Sequence, residues 1–518
     1  VESVELVKEV TPFAGVLGRI CTHPCEIDCQ RGKFDEALPI CSLKRFAADY
    51  EQKTGREKAT PVKITKNAKV AIVGSGPAGL TCACDLVRQG YPVTVFEAAT
   101  KSGGLMRYGI PEYRLPKIVL DDEVSYIKEL GVEIKNGTPV KDLEDIFGKG
   151  YQAVFIATGT GLSQKMGISG EDSKGVIFAL DFLKQVNSGV KVALGERVAV
   201  IGGGSVAIDA ARSALRLGVK EVHLICLECR DLMSKDRMPA QGSEIEEAEQ
   251  EGVIVHPCLG IKQILVDKGS VTGLETIKCV SVYDEDGNFR PSLQEDLFST
   301  MDMDNVIIAV GQTVDRSMLP GGIETTARGN ISVDPVTLET GVKGVFAGGD
   351  LVSGAAYVIN AIADGKEAAI SIDRYLTGVD LKEGRYVRSK SAGQSRHVRT
   401  TRPVELATDE HLDFAEVNPA FDENTAVEQA NYCLNCGTLR PSVVIKPVDP
   451  KKQIVPWDFK RALELWQKRC PDTGEPLPDV FTEISDVTRS HEDITGRNKL
   501  VLKARNTEEL MFYTVDDE

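Results

Sequence analysis

The sequence predicts an α/β protein with two parallel sheets, a short helical domain before them and an irregular extension after them. From Lys69 onward, short apolar runs rich in Val and Ile alternate with helical segments. Continuous apolar strands are typical of parallel sheets covered on both faces, and their alternation with helices indicates βαβ units. Glycine-rich turns beginning at Gly74 and Gly202 each follow one of these strands, which indicates two domains of this kind. The predicted strands are Val70–Gly74, Pro92–Glu97, Ala153–Gly159, Arg197–Gly204, Val222–Glu228 and Val306–Gly311.

Composition and charge argue against two classes of protein, those that bind nucleic acid and those that span a membrane. The chain has 518 residues, of which 42% are hydrophobic and 27% charged, and its formal net charge is −16. This acidic balance argues against nucleic acid as a general partner, because phosphate binding needs clustered Lys and Arg. No stretch approaches about 18 consecutive apolar residues and no signal peptide is recognisable, so we expect a cytoplasmic protein without a membrane span.

The first glycine motif, Gly74-Ser75-Gly76-Pro77-Ala78-Gly79, follows a predicted strand and opens a helix. In a dinucleotide-binding loop the first glycine allows the tight turn, the second lets the backbone approach a pyrophosphate, and the third lets helix and strand pack closely. The helix N-terminus supplies N–H donors for the phosphates. Glu97 ends the next strand and can accept hydrogen bonds from ribose hydroxyls. The motif therefore predicts dinucleotide binding by Gly74, Gly76, Gly79 and Glu97.

The second glycine motif, Gly202-Gly203-Gly204-Ser205-Val206-Ala207, is the variant with alanine in the last position. Glu228 ends the next predicted strand, 21 residues after Ala207. An acid at this spacing accepts from both ribose hydroxyls of NAD(H) and repels the 2′-phosphate of NADP(H). Arg230 is the opposing observation, since an arginine in this loop can hold that phosphate. We interpret Glu228 as favouring NAD(H).

A third glycine-containing turn, Gly348-Gly349-Asp350, follows an apolar run that ends at Ala347. A helix is predicted to begin near Ala356, so Asp350 lies at a strand end that faces a helix N-terminus. This placement suits the ribityl chain and pyrophosphate of a flavin.

Four cysteines near the start read C-x₃-C-x₃-C-x₁₁-C: Cys21, Cys25, Cys29 and Cys41. Three thiolates arrive in one short loop, and the fourth comes from the first turn of a helix predicted to begin after Pro39. This pattern suits a [4Fe-4S] cluster. A Cys₄ zinc site is the alternative, although such sites usually show two separated C-x₂₋₄-C pairs.

The other cysteines carry weaker signals. Cys82 and Cys84 lie inside the helix after the first glycine motif and are expected in the core. Cys226 and Cys229 form a C-x-x-C by spacing, but one is in a predicted strand and the other beyond its end, which disfavours a redox disulfide between them. Near the end of the chain, Cys433 and Cys436 could be half of an additional metal site. Hydrolytic motifs are absent from the sequence.

Together these motifs resemble the glutamate synthase small-subunit family. The family includes the N-terminal half of dihydropyrimidine dehydrogenase and the large subunit of NADH-dependent ferredoxin:NADP oxidoreductase. The resemblance covers about residues 10–380, and its most specific run is Gly103-Gly-Leu-Met-Arg-Tyr-Gly-Ile-Pro-Glu-Tyr-Arg-Leu-Pro116. The other runs that carry it are GRICTHPCE, LKRF, VAIVGSGPAGL, IGGGSVAIDAAR, Met238-Pro239 and GVFAGGD.

The resemblance implies roles for individual residues. FAD would be bound by Gly74, Gly76, Gly79, Glu97, Gly104, Leu105, Arg107 and Asp350, and the nicotinamide cofactor by Gly202, Gly204, Ser205 and Val206. NADPH-using members carry Tyr-Arg-Arg at the end of the second strand, where this chain has Cys226-Leu227-Glu228, which supports NAD(H). Cys21, Cys25 and Cys29 match the cluster loop of the family, whereas Cys41 stands where some members have Gln or Glu.

The fold implied is an FAD-binding Rossmann-like domain interrupted by an NAD-binding one. The predicted boundaries are 1–66 for the helical iron–sulfur domain, 67–190 and 305–380 for the FAD-binding domain, 191–304 for the NAD-binding domain and 381–518 for the C-terminal extension. The implied function is an oxidoreductase that moves electrons between NADH, FAD and a [4Fe-4S] cluster, to or from iron–sulfur or ferredoxin-like subunits of a larger complex. The alternatives are a glutamate synthase small subunit and a scaffold subunit that lacks NADH turnover. A flavin disulfide reductase is disfavoured, because no C-x₄-C follows the first glycine motif.

Overall fold

The computed structural model describes residues 2–33, 35–231, 233–315, 323–387, 412–433, 488–492, 498–503 and 510–514. The chain divides into two compact units. The first comprises Val1–Ile27 and Pro39–Val427, and the second comprises Asp28–Leu38 and Glu428–Glu518.

Helices come first in the chain, and from Lys69 strands and helices alternate. The helices are α1 (Glu2–Val10), α2 (Ala14–Ile20), α3 (Pro24–Ile27), α4 (Ile40–Thr54), α5 (Pro77–Arg88), α6 (Leu105–Tyr108), α7 (Lys117–Glu129), α8 (Leu143–Gly148), α9 (Ala179–Asn187), α10 (Ser205–Arg216), α11 (Gly242–Gln250), α12 (Asp350–Ser353), α13 (Val358–Thr377) and α14 (Glu423–Ala430), with a 3₁₀ helix at Gln30–Lys33. The strands are β1 (Lys69–Val73), β2 (Val93–Phe96), β3 (Glu133–Lys135), β4 (Tyr151–Ile156), β5 (Leu162–Ser163), β6 (Val176–Phe178), β7 (Arg197–Ile201), β8 (Glu221–Ile225), β9 (Ile254–His256), β10 (Leu259–Asp267), β11 (Ser270–Tyr283), β12 (Phe289–Asp302), β13 (Asn305–Ile308), β14 (Gln312–Thr313), β15 (Val345–Ala347), β16 (Thr488–Glu492), β17 (Asn498–Lys503) and β18 (Leu510–Thr514).

Two parallel five-stranded sheets form the centre of the first unit, as the apolar runs predict. The first sheet has the strand order β15-β4-β1-β2-β3 and the second has the order β6-β13-β7-β8-β9. The central strands are buried along almost their whole length, since Val70, Ala71 and Ile72 of β1 have no exposed surface. All six predicted strands are present, and no end is shifted by more than three residues.

The second sheet extends beyond the range predicted for its domain. The predicted boundaries, between residues 190 and 191 and between 304 and 305, assign β6 and β13 to the FAD-binding domain. In the structure β13 pairs with β7 and β6 pairs with β13, so both strands complete the second sheet. The reason is that β7 pairs with β8 along one edge and needs a second strand, β13, along its other edge to become a central strand. Central strands of a parallel sheet are apolar throughout because both of their faces are covered.

An antiparallel sheet of β10, β11 and β12 also lies within the range of the predicted NAD-binding domain, and the sequence patterns do not predict it. One face of this sheet is apolar. Ile264, Val271 and Leu274 pack with Val306 and Ile308 of β13 in one core cluster.

The helical domain at the start is fused to the first sheet by a shared core. Phe13, Val16 and Leu17 belong to the same hydrophobic cluster as Val70 and Ile72 of β1. α4 begins after Pro39, as predicted, and packs tightly against α2.

Residues 412–427 pack against the helical domain, although the sequence around them predicts irregular structure. Glu416 accepts hydrogen bonds from Arg19 Nε (2.6 Å) and from Arg45 Nη2 (2.7 Å), which belong to α2 and α4. Val417 N donates to Tyr113 O (3.0 Å). This part of the extension therefore binds its own chain.

The second unit has few described elements. Arg31 Nη1 donates to Tyr432 O (2.6 Å), and β16, β17 and β18 form an antiparallel sheet.

Among the helices in the described ranges, none combines the length and the apolar character needed to cross a bilayer.

A buried ion cluster joins α10 to the end of α11. Glu251 accepts hydrogen bonds from Arg212 Nη2 (2.6 Å) and from Arg216 Nη1 (2.6 Å). Arg212 has 1% of its surface exposed, so neither water nor salt screens these contacts effectively. The two arginines hold the pKa of the Glu251 carboxyl below its ordinary value, although burial opposes them.

We expect Glu251→Gln to destabilise the second sheet domain by about 3 kcal/mol, because it leaves two buried guanidinium groups without a full counter-charge. Urea unfolding followed by circular dichroism measures this loss. Glu246→Gln is the matched control, because Glu246 lies on the exposed face of the same helix. Equal unfolding midpoints for the two variants would contradict the stabilising role given to Glu251.

A second buried carboxylate joins α2 to α7. Glu123 of α7 accepts hydrogen bonds from Gly15 N (2.5 Å) and Val16 N (3.2 Å) in the first turn of α2. These donors are backbone groups that have no partner within the helix. Burial raises the pKa of the Glu123 carboxyl to about 8, although the two N–H donors lower it.

This raised pKa predicts a pH dependence of stability. The ordinary pKa is 4.5 and the folded value is about 8, so the folded chain retains a proton that the unfolded chain loses in this interval. The contribution of Glu123 to stability is therefore full below pH 4.5 and is lost as the pH rises through 8. We expect Glu123→Gln, which cannot titrate, to gain in melting temperature relative to the wild type between pH 6 and pH 9. Glu5→Gln, an exposed change in the same domain, should show a constant difference, and a constant difference for Glu123→Gln would refute the prediction.

Candidate cofactor sites

The first glycine loop connects β1 to α5 and has the geometry that its predicted role requires. Gly74 has a φ of +105°, and a Cβ atom there would lie 2.4 Å from Ala157 O. A Cβ at Gly79 would lie 2.1 Å from Gly74 O, so only glycine lets the helix approach the strand this closely. Gly76 has no neighbouring atom within 4 Å of its Cβ position. The backbone at Gly76 is thus open to a ligand at the N-terminus of α5.

Glu97 lies at this loop, directly after β2. Its carboxylate accepts hydrogen bonds from Ser75 N (2.8 Å), Ser75 Oγ (2.5 Å) and Ala99 N (2.7 Å). Ser75 is a contact that the sequence motif does not predict, because the motif leaves this position variable.

The Gly103–Pro116 run, which contains three further predicted FAD-binding residues, begins in contact with the first glycine loop. A Cβ at Gly104 would lie 2.9 Å from Gly76 Cα, so Gly104 and Gly76 are in contact. Leu105 begins α6. Arg107 is buried, and its guanidinium donates to Ser102 O and to Asp121. This guanidinium orders the turn, and a direct role of Arg107 towards FAD stays a prediction.

Asp350 follows the Gly348-Gly349 turn and begins α12. Gly349 packs against α5, since a Cβ there would lie 3.2 Å from Ala78 Cβ. Burial raises the pKa of the Asp350 carboxyl to about 7, the N–H of Ala356 lowers it, and the nearby Asp364 raises it further. The tertiary structure thus brings Asp350 to the same end of the sheet as the first glycine loop.

The second glycine loop repeats this geometry between β7 and α10. Gly202 has a φ of +138°, and a Cβ atom there would lie 2.4 Å from Ala309 O. Gly204 has nothing within 4 Å of its Cβ position, as at Gly76. Ala207 is fully buried, while Val206 is partly buried at the edge of the core.

Glu228 lies beside this second loop, although it does not end the strand as predicted. β8 ends at Ile225, and Glu228 is three residues further on. A Cβ at Gly203 would lie 2.7 Å from Glu228 Oε2, so the carboxylate occupies the space beside the glycine loop. Burial raises the pKa of this carboxyl. Arg230, the opposing residue, is paired with Glu249 (2.5 Å).

Ser205 belongs to an ionic network that the sequence patterns do not predict. Its Oγ donates to Glu244 Oε2 (2.7 Å), and Arg114 Nη2 donates to Glu244 Oε1 (2.5 Å). Arg114 Nη1 also donates to Asp209 Oδ1 (2.7 Å). Arg114 comes from the Gly103–Pro116 run, so this run contacts the start of α10. The Gly103–Pro116 run is recognisable in the sequence, but the residues that Arg114 contacts, Asp209 and Glu244, lie 95 or more residues away along the chain.

The predicted thiols of the first unit lie together around the end of α2. Cys41 Sγ approaches Leu17 O (3.3 Å) and Gly18 O (3.4 Å), and Cys21 Sγ accepts a hydrogen bond from His23 N (3.4 Å). Burial raises the pKa of Cys25 to about 11 and that of Cys41 to about 12. Lys44 lowers both values, and the neighbouring Cys21 raises both.

Cys29 and Cys433 belong to the second unit. Leu38 N donates to Cys29 Sγ (3.5 Å), and Cys433 is exposed. Cys436, its predicted partner, lies outside the described residues. Within the part of the chain that the structure describes, no three His, Cys, Asp or Glu side chains are arranged to hold a metal ion. The assignment of these cysteines as ligands stays a prediction.

The donor groups present suit three cofactors. Two helix N-termini with open glycine backbone suit the pyrophosphates of two dinucleotides. Thiols are the donor groups that an iron–sulfur cluster requires, and its iron would deprotonate them. When bound, a flavin accepts a hydride from a nicotinamide and passes its electrons singly to such a cluster.

Comparison with protein families agrees with this chemistry. Residues 68–365 match the pyridine nucleotide-disulphide oxidoreductase family, and residues 1–56 match the family described as dihydropyrimidine dehydrogenase domain II, 4Fe-4S cluster. The cofactors of the chain are therefore FAD, NAD(H) or NADP(H), and a [4Fe-4S] cluster.

Three characterised relatives are similar over most of the chain. The β subunit of NADP(+)-dependent formate dehydrogenase from Moorella thermoacetica is 41% identical over 476 residues, which cover 84% of this chain and 67% of the relative. The NAD-dependent dihydropyrimidine dehydrogenase subunit PreT of Escherichia coli is 33% identical, covering 73% of this chain and 85% of the relative. The glutamate synthase [NADPH] small chain of Halomonas elongata is 32% identical, covering 72% and 82%. These matches confirm the resemblance drawn from the motifs.

Among solved structures, FprA from Mycobacterium tuberculosis superimposes with a TM-score of 0.52 at 17% identity, covering 60% of this chain and 85% of FprA. This likeness concerns the fold alone. Because the family match spans more than half of the 518 residues and the glycine loops have the required geometry, the chain belongs to the pyridine nucleotide-disulphide oxidoreductase family, as an NAD(P)-dependent FAD and iron–sulfur oxidoreductase.

Proposed function

We propose that this chain is the NADH-oxidising subunit of a larger redox complex. It takes electrons from NADH through FAD to a [4Fe-4S] cluster held by Cys21, Cys25, Cys29 and Cys41, and delivers them to iron–sulfur or ferredoxin-like partner subunits. The observation that carries the proposal is that both glycine loops and three of the four thiols lie in one compact unit.

The attachment of the thiol-bearing helix supports electron transfer within this unit. α2 is packed into the core of the FAD-binding sheet through Phe13, Val16 and Leu17, and Glu123 caps its first turn. Cys21 directly follows α2. A helix fixed in this way keeps Cys21 at a constant distance from the FAD-binding sheet, which supports electron transfer between a flavin and a cluster bound at this thiol.

Recognition of NAD(H) over NADP(H) is supported by the acid beside the second loop. The Glu228 carboxylate next to Gly203 would accept hydrogen bonds from ribose hydroxyls and repel a 2′-phosphate. Arg230, the residue that could hold such a phosphate, is paired with Glu249. The formate dehydrogenase and glutamate synthase relatives are named for NADP(+) and NADPH, so this preference distinguishes the chain from them.

A glutamate synthase small subunit is the second candidate, because such a chain is 32% identical to this one. The formate dehydrogenase β subunit, however, matches 84% of this chain, whereas the glutamate synthase small chain matches 72%. The wider match favours a subunit of a redox complex of another kind.

In this mechanism the side chains bind and orient rather than exchange protons with substrate. Glu97 and Glu228 hold ribose groups, and the open backbone at Gly76 and Gly204 receives the two pyrophosphates. Arg114 connects the FAD-binding domain to α10 and so sets the position of the nicotinamide relative to the flavin.

We expect anaerobic rapid mixing to show faster flavin bleaching by NADH than by NADPH, with the signal of a reduced cluster following in electron paramagnetic resonance. Glu228→Arg should shift the ratio of the two rates towards NADPH by about tenfold or more, since a hydrogen bond to a charged group contributes about 1.5–3 kcal/mol. Glu221→Arg, the same change at the exposed start of β8, is the control. Faster bleaching of the wild type by NADPH would overturn the preference, and no bleaching by either would favour the scaffold alternative.

The two open glycines allow the two dinucleotide sites to be tested separately. We expect Gly76→Ala to fold, because its Cβ meets no protein atom, but to lose FAD. Gly204→Ala should retain FAD and lose bleaching by NADH. The measurements are the flavin-to-protein ratio after gel filtration, circular dichroism, and the bleaching rate. Gly148→Ala, which also meets nothing and lies in α8, serves as the control. Retention of FAD by Gly76→Ala would contradict the role given to the first loop.

A further inference from the structure

Four cysteines from three segments of the chain converge near Glu228: Cys226, Cys229, Cys258 and Cys279. Cys226 and Cys229 flank it in the chain, and Leu259 N donates to Cys226 O (2.8 Å). Cys258 N donates to Glu228 O (2.9 Å), and Cys279 N donates to Cys258 O (2.9 Å). All four are reduced in the structure. This cluster has no part in the proposed electron transfer.

The cysteines of this group influence one another's pKa values. The pKa values of Cys226, Cys258 and Cys279 are all raised, mainly by burial. Cys258 further raises the pKa of Cys226 and of Cys279, and Cys229 raises that of Cys258. Cys258 is therefore the centre of the group.

Solvent exposure distinguishes Cys229 and Cys258 from the other two cysteines. Cys226 and Cys279 are buried, with 2% and 3% of their surface exposed. Cys229 and Cys258 are half-buried, so a small reagent in solution reaches them first. The C-x-x-C spacing of Cys226 and Cys229 therefore does not identify the accessible pair, because the accessible neighbour of Cys229 is Cys258, from the turn between β9 and β10.

The backbone places Cys229 and Cys258 within reach of a disulfide. The peptide that joins Glu228 to Cys229 accepts the hydrogen bond from Cys258 N. One hydrogen-bonded peptide therefore separates the two Cα atoms, which keeps them within about 7 Å, the outer limit for a bridge. Cys258 also has a φ of +57°, a conformation that a non-glycine residue adopts only at a cost. A small movement of the backbone at this turn would be enough for closure.

We propose that Cys229 and Cys258 form a thiol–disulfide modification site whose oxidant is a low-molecular-weight disulfide. The thiolate of one cysteine attacks a sulfur of the reagent, whose S–S bond breaks and releases one thiol. The second cysteine loses its proton and attacks the mixed disulfide, which forms the protein S–S bond and releases the second thiol. Two electrons pass from the protein thiols to the reagent, and reduction by a dithiol reverses the reaction.

Oxidation at this site acts on the nicotinamide cofactor, an effect that depends on the proposed role of Glu228. The new bond draws Cys229 towards Cys258 and rotates the turn that holds the Glu228 carboxylate against Gly203. Ribose recognition is weakened, while the FAD loop at Gly74 and the thiols at the cluster loop belong to other elements and are unaffected.

The test uses the holoprotein, purified and treated without oxygen so that the cluster survives. Oxidised glutathione is the probe, followed by removal of the reagent, alkylation of the remaining thiols and peptide mapping by mass spectrometry. We expect a Cys229–Cys258 crosslink, an increase of about tenfold in the NADH concentration that gives half-maximal bleaching, and unchanged flavin and iron content. Dithiothreitol should restore the original value.

Variants separate the pair from its neighbours. Cys229→Ser and Cys258→Ser, each compared with its own reduced form, should lose the response to oxidised glutathione, whereas Cys279→Ser should keep it. Absence of a crosslink in the wild type, or a crosslink between another pair, would overturn the site. A Cys229–Cys258 crosslink that leaves NADH dependence unchanged would overturn its effect on the cofactor. Failure of the reduced protein to react with NADH would instead refute the proposed function, because the mapping does not need NADH.

Discussion

Both dinucleotide-binding domains depend on the same steric contact, made between the first glycine of each loop and the carbonyl that follows a neighbouring strand. Gly74 and Gly202 both have positive φ angles, and at both a Cβ atom would lie 2.4 Å from that carbonyl oxygen. The contact lets β1 and β7 turn sharply into α5 and α10. As a result, α5 and α10 begin at the carboxyl ends of β1 and β7, directly after the open glycines Gly76 and Gly204. The N–H groups of such helix N-termini can bind phosphates.

Other contacts within the first unit fix the positions of these two sites and of the thiols in that unit. Glu123 and the shared core attach α2 to the FAD-binding domain, and Glu416 binds both α2 and α4 through Arg19 and Arg45. Arg114 links the FAD-binding domain to the start of α10 through Asp209 and Glu244. These contacts are buried ion pairs and helix caps. Such contacts contribute little net stability but are costly to break, and they therefore specify one arrangement.

Much of the fold could be predicted, because the sequence patterns that indicate its strands and turns each lie within a short stretch of the chain. Apolar runs indicate β1, β4 and β7, since a strand buried on both faces has to be apolar throughout. The glycine motifs are equally local, because each acts within one strand–turn–helix unit. The edges of the domains could not be predicted in this way. β6 and β13 have the composition of any apolar strand, and only the pairing of β13 with β7 and of β6 with β13 assigns them to the second sheet.

The family, the two dinucleotide loops and the set of thiols follow from the amino-acid sequence alone, because each of these is encoded in residues close together in the chain. Tertiary packing determines which residues from distant segments meet. It brings Glu228 against Gly203, pairs Arg230 with Glu249, joins Arg114 to Glu244, and gathers Cys258 with Cys229. Each of these contacts is made by side chains or peptides on neighbouring strands, helices and turns. No local pattern records the order of those elements in the sheets, so the contacts could not be predicted before the fold was known.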